Sequence, residues 1–180
     1  MSSTSLRRQL AGEGIWIRTG PFSLKVQSKL PLVAESLLEL YGQFEVRDAQ
    51  LAFADFHVQI NSPNMLRRWF RPQVSFSFDG EKPFKPLPLD QAYPMLEWGL
   101  NWCISMNAHQ YLIIHAGVVE KNGMAVILPA PPGSGKSTLT AGLILSGWRL
   151  LSDELTLIDR KTGMIHPLPR PGSQKNETTF

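Results

Sequence analysis

The sequence predicts an α+β protein in two parts: an N-terminal α/β half over residues 1–88 and a nucleotide-type half over 89–180. Three observations carry that prediction. Short runs of alternating apolar residues mark strands before residue 80. The proline-rich "KPFKPLPLDQAYP" then separates the halves. Beyond it, an apolar hairpin runs into a Gly-rich loop and a helix.

Each element has its own signal. "GIWIRTGPFSLKVQS" reads as two strands around a Thr19-Gly20-Pro21 turn, because Ile15/Ile17 and Phe22/Leu24/Val26 alternate. "KLPLVAESLLELYGQF" reads as a helix, with Pro31 in its first turn and Leu37, Leu40 and Tyr41 at helical spacing. "LAFADFHVQI" alternates and predicts a strand. "RRWFRPQVSFSFDGEKPF" predicts another, leading into an Asp79-Gly80 turn. A helix follows over Tyr93–Asn107, with Met95, Trp98, Trp102 and Met106 as its apolar stripe. "QYLIIHAGVVEKNGMAVILPA" predicts neighbouring antiparallel strands, Tyr111–Val119 and Met124–Pro129, turning at Asn122-Gly123. After the loop come a helix to Ser146, one continuous strand "WRLLSDELTLID", a Lys161-Thr162-Gly163 turn and the polar tail "LPRPGSQKNETTF".

Composition narrows the function classes. The 180 residues are 43% hydrophobic and 18% charged, a globular balance rather than a disordered one. A net charge of +3 suits an anionic ligand but falls short of a nucleic-acid-binding composition. Cys103 is the only cysteine, which excludes an intrachain disulfide and fits a reducing, cytoplasmic setting. The N-terminus has arginines without an apolar run behind them, so no secretory signal is expected. No apolar stretch has the length of a membrane span.

The chemistry concentrates in "APPGSGKS", Ala130–Ser137, which follows the phosphate-loop pattern G-x-x-x-x-G-K-[ST] except for Ala130 at the first glycine. Alanine fits there if its φ stays negative. Gly133 and Gly135 let backbone N–H groups turn inward, and with the positive end of the following helix these form an anion site. Lys136 can neutralise the β and γ phosphates, and the Ser137 hydroxyl can ligate Mg²⁺, with Thr138 beside it. Phosphoryl transfer also needs an acid. "RLLSDELTLID" offers Asp153 and Glu154, which strand alternation sends to opposite faces.

The stretch "HAGVVEKNGMAVILPAPPGSGKSTLTAGLILSGWRLLSDELTLID" resembles the catalytic core of HPr kinase/phosphorylase, a serine kinase whose fold is shared with PEP carboxykinases. The matches are His115, Gly117, Gly133, Gly135, Lys136, Ser137, Gly147, Arg149, Leu150, Asp153 and Glu154. "PFKPLPLDQAYPMLEWGLNWC" resembles the segment preceding the core in HPr kinase-related proteins. The resemblance implies a mixed-sheet core that binds ATP and Mg²⁺ and phosphorylates a serine hydroxyl of a small HPr-like acceptor protein. It implies roles for Pro132–Thr138 in binding nucleotide, for Ser137 and Asp153 in holding metal, and for Asp153 as base. Glu154 would assist and His115 would tune the acid. It implies homo-oligomers for a complete core. The family's later Gly-rich motif is absent before Phe180, so a partial core with weak or no turnover is expected. The alternatives are an ATP-binding module without turnover and a kinase of a small hydroxylated metabolite.

Other signals carry blander readings. Arg67, Arg68 and Arg71 interleave with Trp69 and Phe70, a pattern read as a solvated strand face rather than a nucleic-acid site. Trp98 and Trp102 are read as helix core. His57, His109 and His166 lack metal-ligand spacing with Cys103 or each other, so no structural metal is expected.

Overall fold

Alternation becomes burial in the opening strands. In the computed structural model, which describes residues 3–41, 46–48, 53–63, 71–131 and 133–169, Phe22, Leu24 and Val26 are buried while Ser23, Lys25 and Gln27 are not. The described residues form a mixed α and β structure with two sheets and four α-helices. None of these helices is long and apolar enough to cross a membrane. The chain divides into two compact units, one of residues 1–18 and 22–106, the other of 19–21 and 107–180.

The first unit begins with a helix absent from the sequence expectations, α1 (Ser3–Ala11). Its two leucines, Leu6 and Leu10, lie one turn apart and are both buried, so docking rather than local apolar content makes the helix. Strands β1 (Ile15–Thr19) and β2 (Phe22–Ser28) follow, then α2 (Pro31–Tyr41), β3 (Val46–Asp48), β4 (Phe56–Asn61), β5 (Gln73–Phe78) and β6 (Leu87–Pro88). The six strands run in the order β3-β1-β2-β4-β5-β6. β2 and β4 pair in parallel, as the connection through α2 and β3 requires, and β4 and β5 pair antiparallel. After β5, Asp79 (φ 46°) and Gly80 (φ 87°) make the expected tight turn.

Helix α3 (Ala92–Asn107) closes this unit. The expected boundary at residue 88 is therefore not where the compact units part. The physical reason is packing: Gly99 lies against the Phe76 ring, and Trp102 meets Phe78 and Phe84 with ring centroids 6.0 and 5.8 Å away. The buried face is Ala92, Met95, Leu96, Gly99, Leu100, Cys103 and Ile104. The expected stripe is thus rotated, since Trp98 and Met106 are 57% and 55% exposed. Burial, with a smaller push from the Asp79 charge, raises the Cys103 thiol to about 12, so it stays protonated.

The second unit is built on one long strand, β7 (Tyr111–Lys121). It pairs antiparallel with β8 (Met124–Pro129), Ala116 opposite Pro129 through Lys121 opposite Met124, as the hairpin pattern predicts. Asn122 (φ 54°) and Gly123 (φ 79°) turn the hairpin. Helix α4 (Lys136–Leu145) then leads to β9 (Arg149–Ser152), β10 (Leu155–Asp159) and β11 (Ile165–His166). Gly147 (φ 84°) ends α4, with Trp148 N donating to Leu143 O at 3.1 Å.

Two expectations change here. The predicted continuous strand is two strands, β9 and β10, which share one edge of β7. Among the described residues the expected mixed sheet is not in this unit, where the strand pairings are antiparallel. The reason is that β7 lies between β8 and β9, so the crossover through α4 joins strands that are not neighbours. The parallel pair belongs to the first unit.

Candidate functional site

The loop between β8 and α4 owes its path to two glycines. Gly133 and Gly135 take φ of 79° and 85°, the left-handed region that disfavours a side chain. Ser134 N donates to Pro131 O at 3.2 Å, which tightens the turn between them. Gly135 is the N-cap of α4, and Leu139 N donates to its carbonyl at 2.9 Å as the helix begins. The N–H groups of that first turn have no acceptor within the helix and sit at the positive end of its dipole. Ala130 keeps a negative φ, since positive values outside glycine occur among the described residues only at Arg71, Asp79 and Asn122. The departure from the loop pattern therefore carries no backbone strain. Pro132 lies outside the described residues, as do Arg67, Arg68, Trp69 and Phe70 of the basic cluster.

The loop opens onto a cleft of about 450 Å³ lined by His115, Ala130, Pro131, Gly133, Gly135, Lys136, Ser137 and Thr138. His115, Ser137 and Thr138 are exposed, and Lys136 is half-buried. Lys136 Nζ donates to the Asp153 main-chain carbonyl at 3.1 Å. That carbonyl is available because the chain bends at Asp153 and Glu154, between β9 and β10. β9 ends with Ser152 opposite Val118, and β10 begins with Leu155 opposite His115. Across the bend, Ala116 N donates to Glu154 O at 3.1 Å.

The acids are thus not on a strand, and the expected division between two sheet faces does not apply to them. Both are half-buried, and Asp153 Oδ1 is shielded from solvent. Neither side chain lines the cleft. The structure brings His115, Lys136, Ser137 and Thr138 together around one opening and meets Asp153 through its backbone.

Two threonines escaped the sequence reading. Thr140, buried, donates from Oγ1 to Lys136 O at 2.9 Å, and Thr156, also buried, donates to Ala116 O at 3.0 Å. The available signal for Thr140 was a hydroxyl one turn after the lysine, followed only by apolar and small residues to the helix end. The remaining histidines lie elsewhere: His57 Nδ1 is 3.7 Å from Asp79, and the His166 ring meets Tyr111 edge-on at 5.2 Å. No group of three or more His, Cys, Asp or Glu among the described residues could hold a metal ion.

Neither a family model, nor a curated protein, nor a solved structure matches this chain.

Proposed function

We propose that the chain binds ATP at the Gly133–Thr138 loop and transfers its γ-phosphoryl group to a hydroxyl, as an HPr-type serine kinase does. The observation that supports it most is the loop itself: two left-handed glycines at the start of α4, with Lys136 leaning across to Asp153 O. The cleft volume, about 450 Å³, falls within the range of small-ligand sites. In this reading the first-turn N–H groups and Lys136 bind the β and γ phosphates. The exposed Ser137 hydroxyl fits a Mg²⁺ ligand, as does a carboxylate from Asp153 once turned into the cleft. Held by these residues, a Mg²⁺ ion would supply charge neutralisation to the transferring phosphoryl group.

The acceptor oxygen attacks the γ-phosphorus as the bond to the β-phosphate oxygen breaks, and ADP leaves. The acceptor proton passes to the Asp153 carboxylate, with His115 at the cleft wall to orient it. A small HPr-like protein bearing a serine is the acceptor that the resemblance favours. Lys136→Ala should weaken a fluorescent ATP analogue by on the order of a hundredfold, the scale of a lost charged hydrogen-bond partner. Unchanged affinity removes the phosphate-site reading. Asp153→Asn should preserve ATP binding, because Lys136 meets the backbone of that residue, yet lower transfer by about 10²–10⁴-fold.

A second reading, ATP binding without turnover, is favoured by one observation: neither acid lines the cleft. Incubation with labelled ATP, Mg²⁺ and serine-bearing acceptors separates the two, since label on an acceptor excludes the binding module.

A further inference from the structure

Gly117 differs from the loop glycines. Its φ is not in the left-handed region, so the backbone there does not require glycine. Space does. A Cβ at Gly117 would lie 3.4 Å from Thr140 Oγ1, 3.8 Å from Ser152 O and 3.9 Å from Lys136 Cδ. Those neighbours are the first turns of α4 and the end of β9, the two elements that deliver Lys136 and Asp153. At 3.4 Å a methyl would sit at the tight limit of ordinary contact with the threonine hydroxyl, with the lysine stem in ordinary contact beside it. Thr140 has little room to yield, being only 6% exposed. It is also the one buried residue of α4, so the helix meets the sheet at this turn. Its hydroxyl donates to Lys136 O at 2.9 Å, holding the backbone from which the lysine departs.

We propose that Gly117 and Thr140 are positioning residues for Lys136. The bare stretch of β7 at Gly117 admits the lysine stem, and the Thr140 hydroxyl sets its origin. Together they aim Nζ at the edge of the loop where the β and γ phosphates of a nucleoside triphosphate would lie. The inference rests on the reading of the loop as a nucleotide-phosphate site, and it assigns new residues to that site.

The test is a titration of the 180-residue chain with a fluorescent ATP analogue and with a fluorescent adenosine lacking phosphates. Gly117→Ala should weaken the triphosphate by on the order of threefold, the low end of coupling between touching residues, and leave the adenosine unchanged. In a Lys136→Ala background the same change should add almost nothing, because its effect passes through the lysine. Thr140→Val should weaken the triphosphate several-fold, on the order of fivefold, while Thr140→Ser keeps the hydroxyl and restores affinity.

Wild-type affinity in both Gly117→Ala and Thr140→Val, with loss in Lys136→Ala, overturns the positioning role and leaves the phosphate site standing. Equal losses with and without Lys136 overturn it too. If Lys136→Ala itself binds normally, the phosphate-site reading fails first. Should Gly117→Ala not fold, the Thr140 pair decides, and equal affinities for Val and Ser at that position sink the proposal.

Discussion

Helices α3 and α4 are both rich in apolar residues, yet they are held in different ways. α3 buries seven of its 16 residues, while α4 buries only Thr140 of its 10. In α4, Leu139 and Leu145 are 54% and 80% exposed. The neighbouring β8 also exposes Met124 and Val126. α3 is therefore a packing helix, placed by the volume it fills against Phe76, Phe78 and Phe84. α4 is placed at its ends: the glycine loop and Thr140 fix the start, and Gly147 with Lys121 Nζ on Ser146 O fixes the finish. The difference teaches that apolar content alone does not say what a helix is for. One helix builds a core, and the other presents its first turn.

The comparison breaks most sharply at Leu100, which is 1% exposed. Leu100→Ala should cost about 2–5 kcal/mol in urea unfolding, the range for deleting a buried leucine. Gly99→Ala, which forces a methyl into the Phe76 ring, should cost about 1–3 kcal/mol as overpacking. In α4, Leu145→Ala should stay within about 0.5 kcal/mol, because its side chain is already in water. A loss at Leu145 equal to that at Leu100 would end the distinction between the helices.

The smallest effect should come from Asp159, in the second unit. It accepts hydrogen bonds from Thr162 N and Lys161 N, both 2.8 Å long, and these hold its carboxyl below the ordinary aspartate value of 3.8. A depressed folded value means the contribution is complete above 3.8 and fades as pH falls through the folded value. The melting temperatures of wild type and Asp159→Asn should thus differ slightly near neutral pH and converge in strong acid. A gap that widens on acidification reverses the assignment.

Local signals were the most legible. Asp79-Gly80, Asn122-Gly123, Gly133 and Gly135 need left-handed backbone, and residue type alone announces that. The strand alternation in Phe22–Val26 and Phe56–Ile60 also survived intact, because period two leaves one choice of buried face. The face of α3 was less legible. Large side chains suggested Trp98 and Met106, whereas the buried face centres on Leu96, Gly99, Leu100 and Cys103, with Gly99 against the Phe76 ring. α1 was invisible, since two leucines in a polar run promise little until a partner surface exists.

By itself the sequence determined where the chain turns, which strands alternate, and where left-handed glycines precede a helix, because φ preference and side-chain period are properties of a few adjacent residues. Tertiary structure alone decided that the run from Arg149 to Asp159 breaks at Asp153 and Glu154. One edge of β7 is shared by two strands, and no property of those two acids states that. It also decided that Lys136 meets a carbonyl of Asp153 and that its stem packs near Gly117. Those contacts join residues far apart in the chain, and only the pairing of β7 with its neighbours brings them within reach.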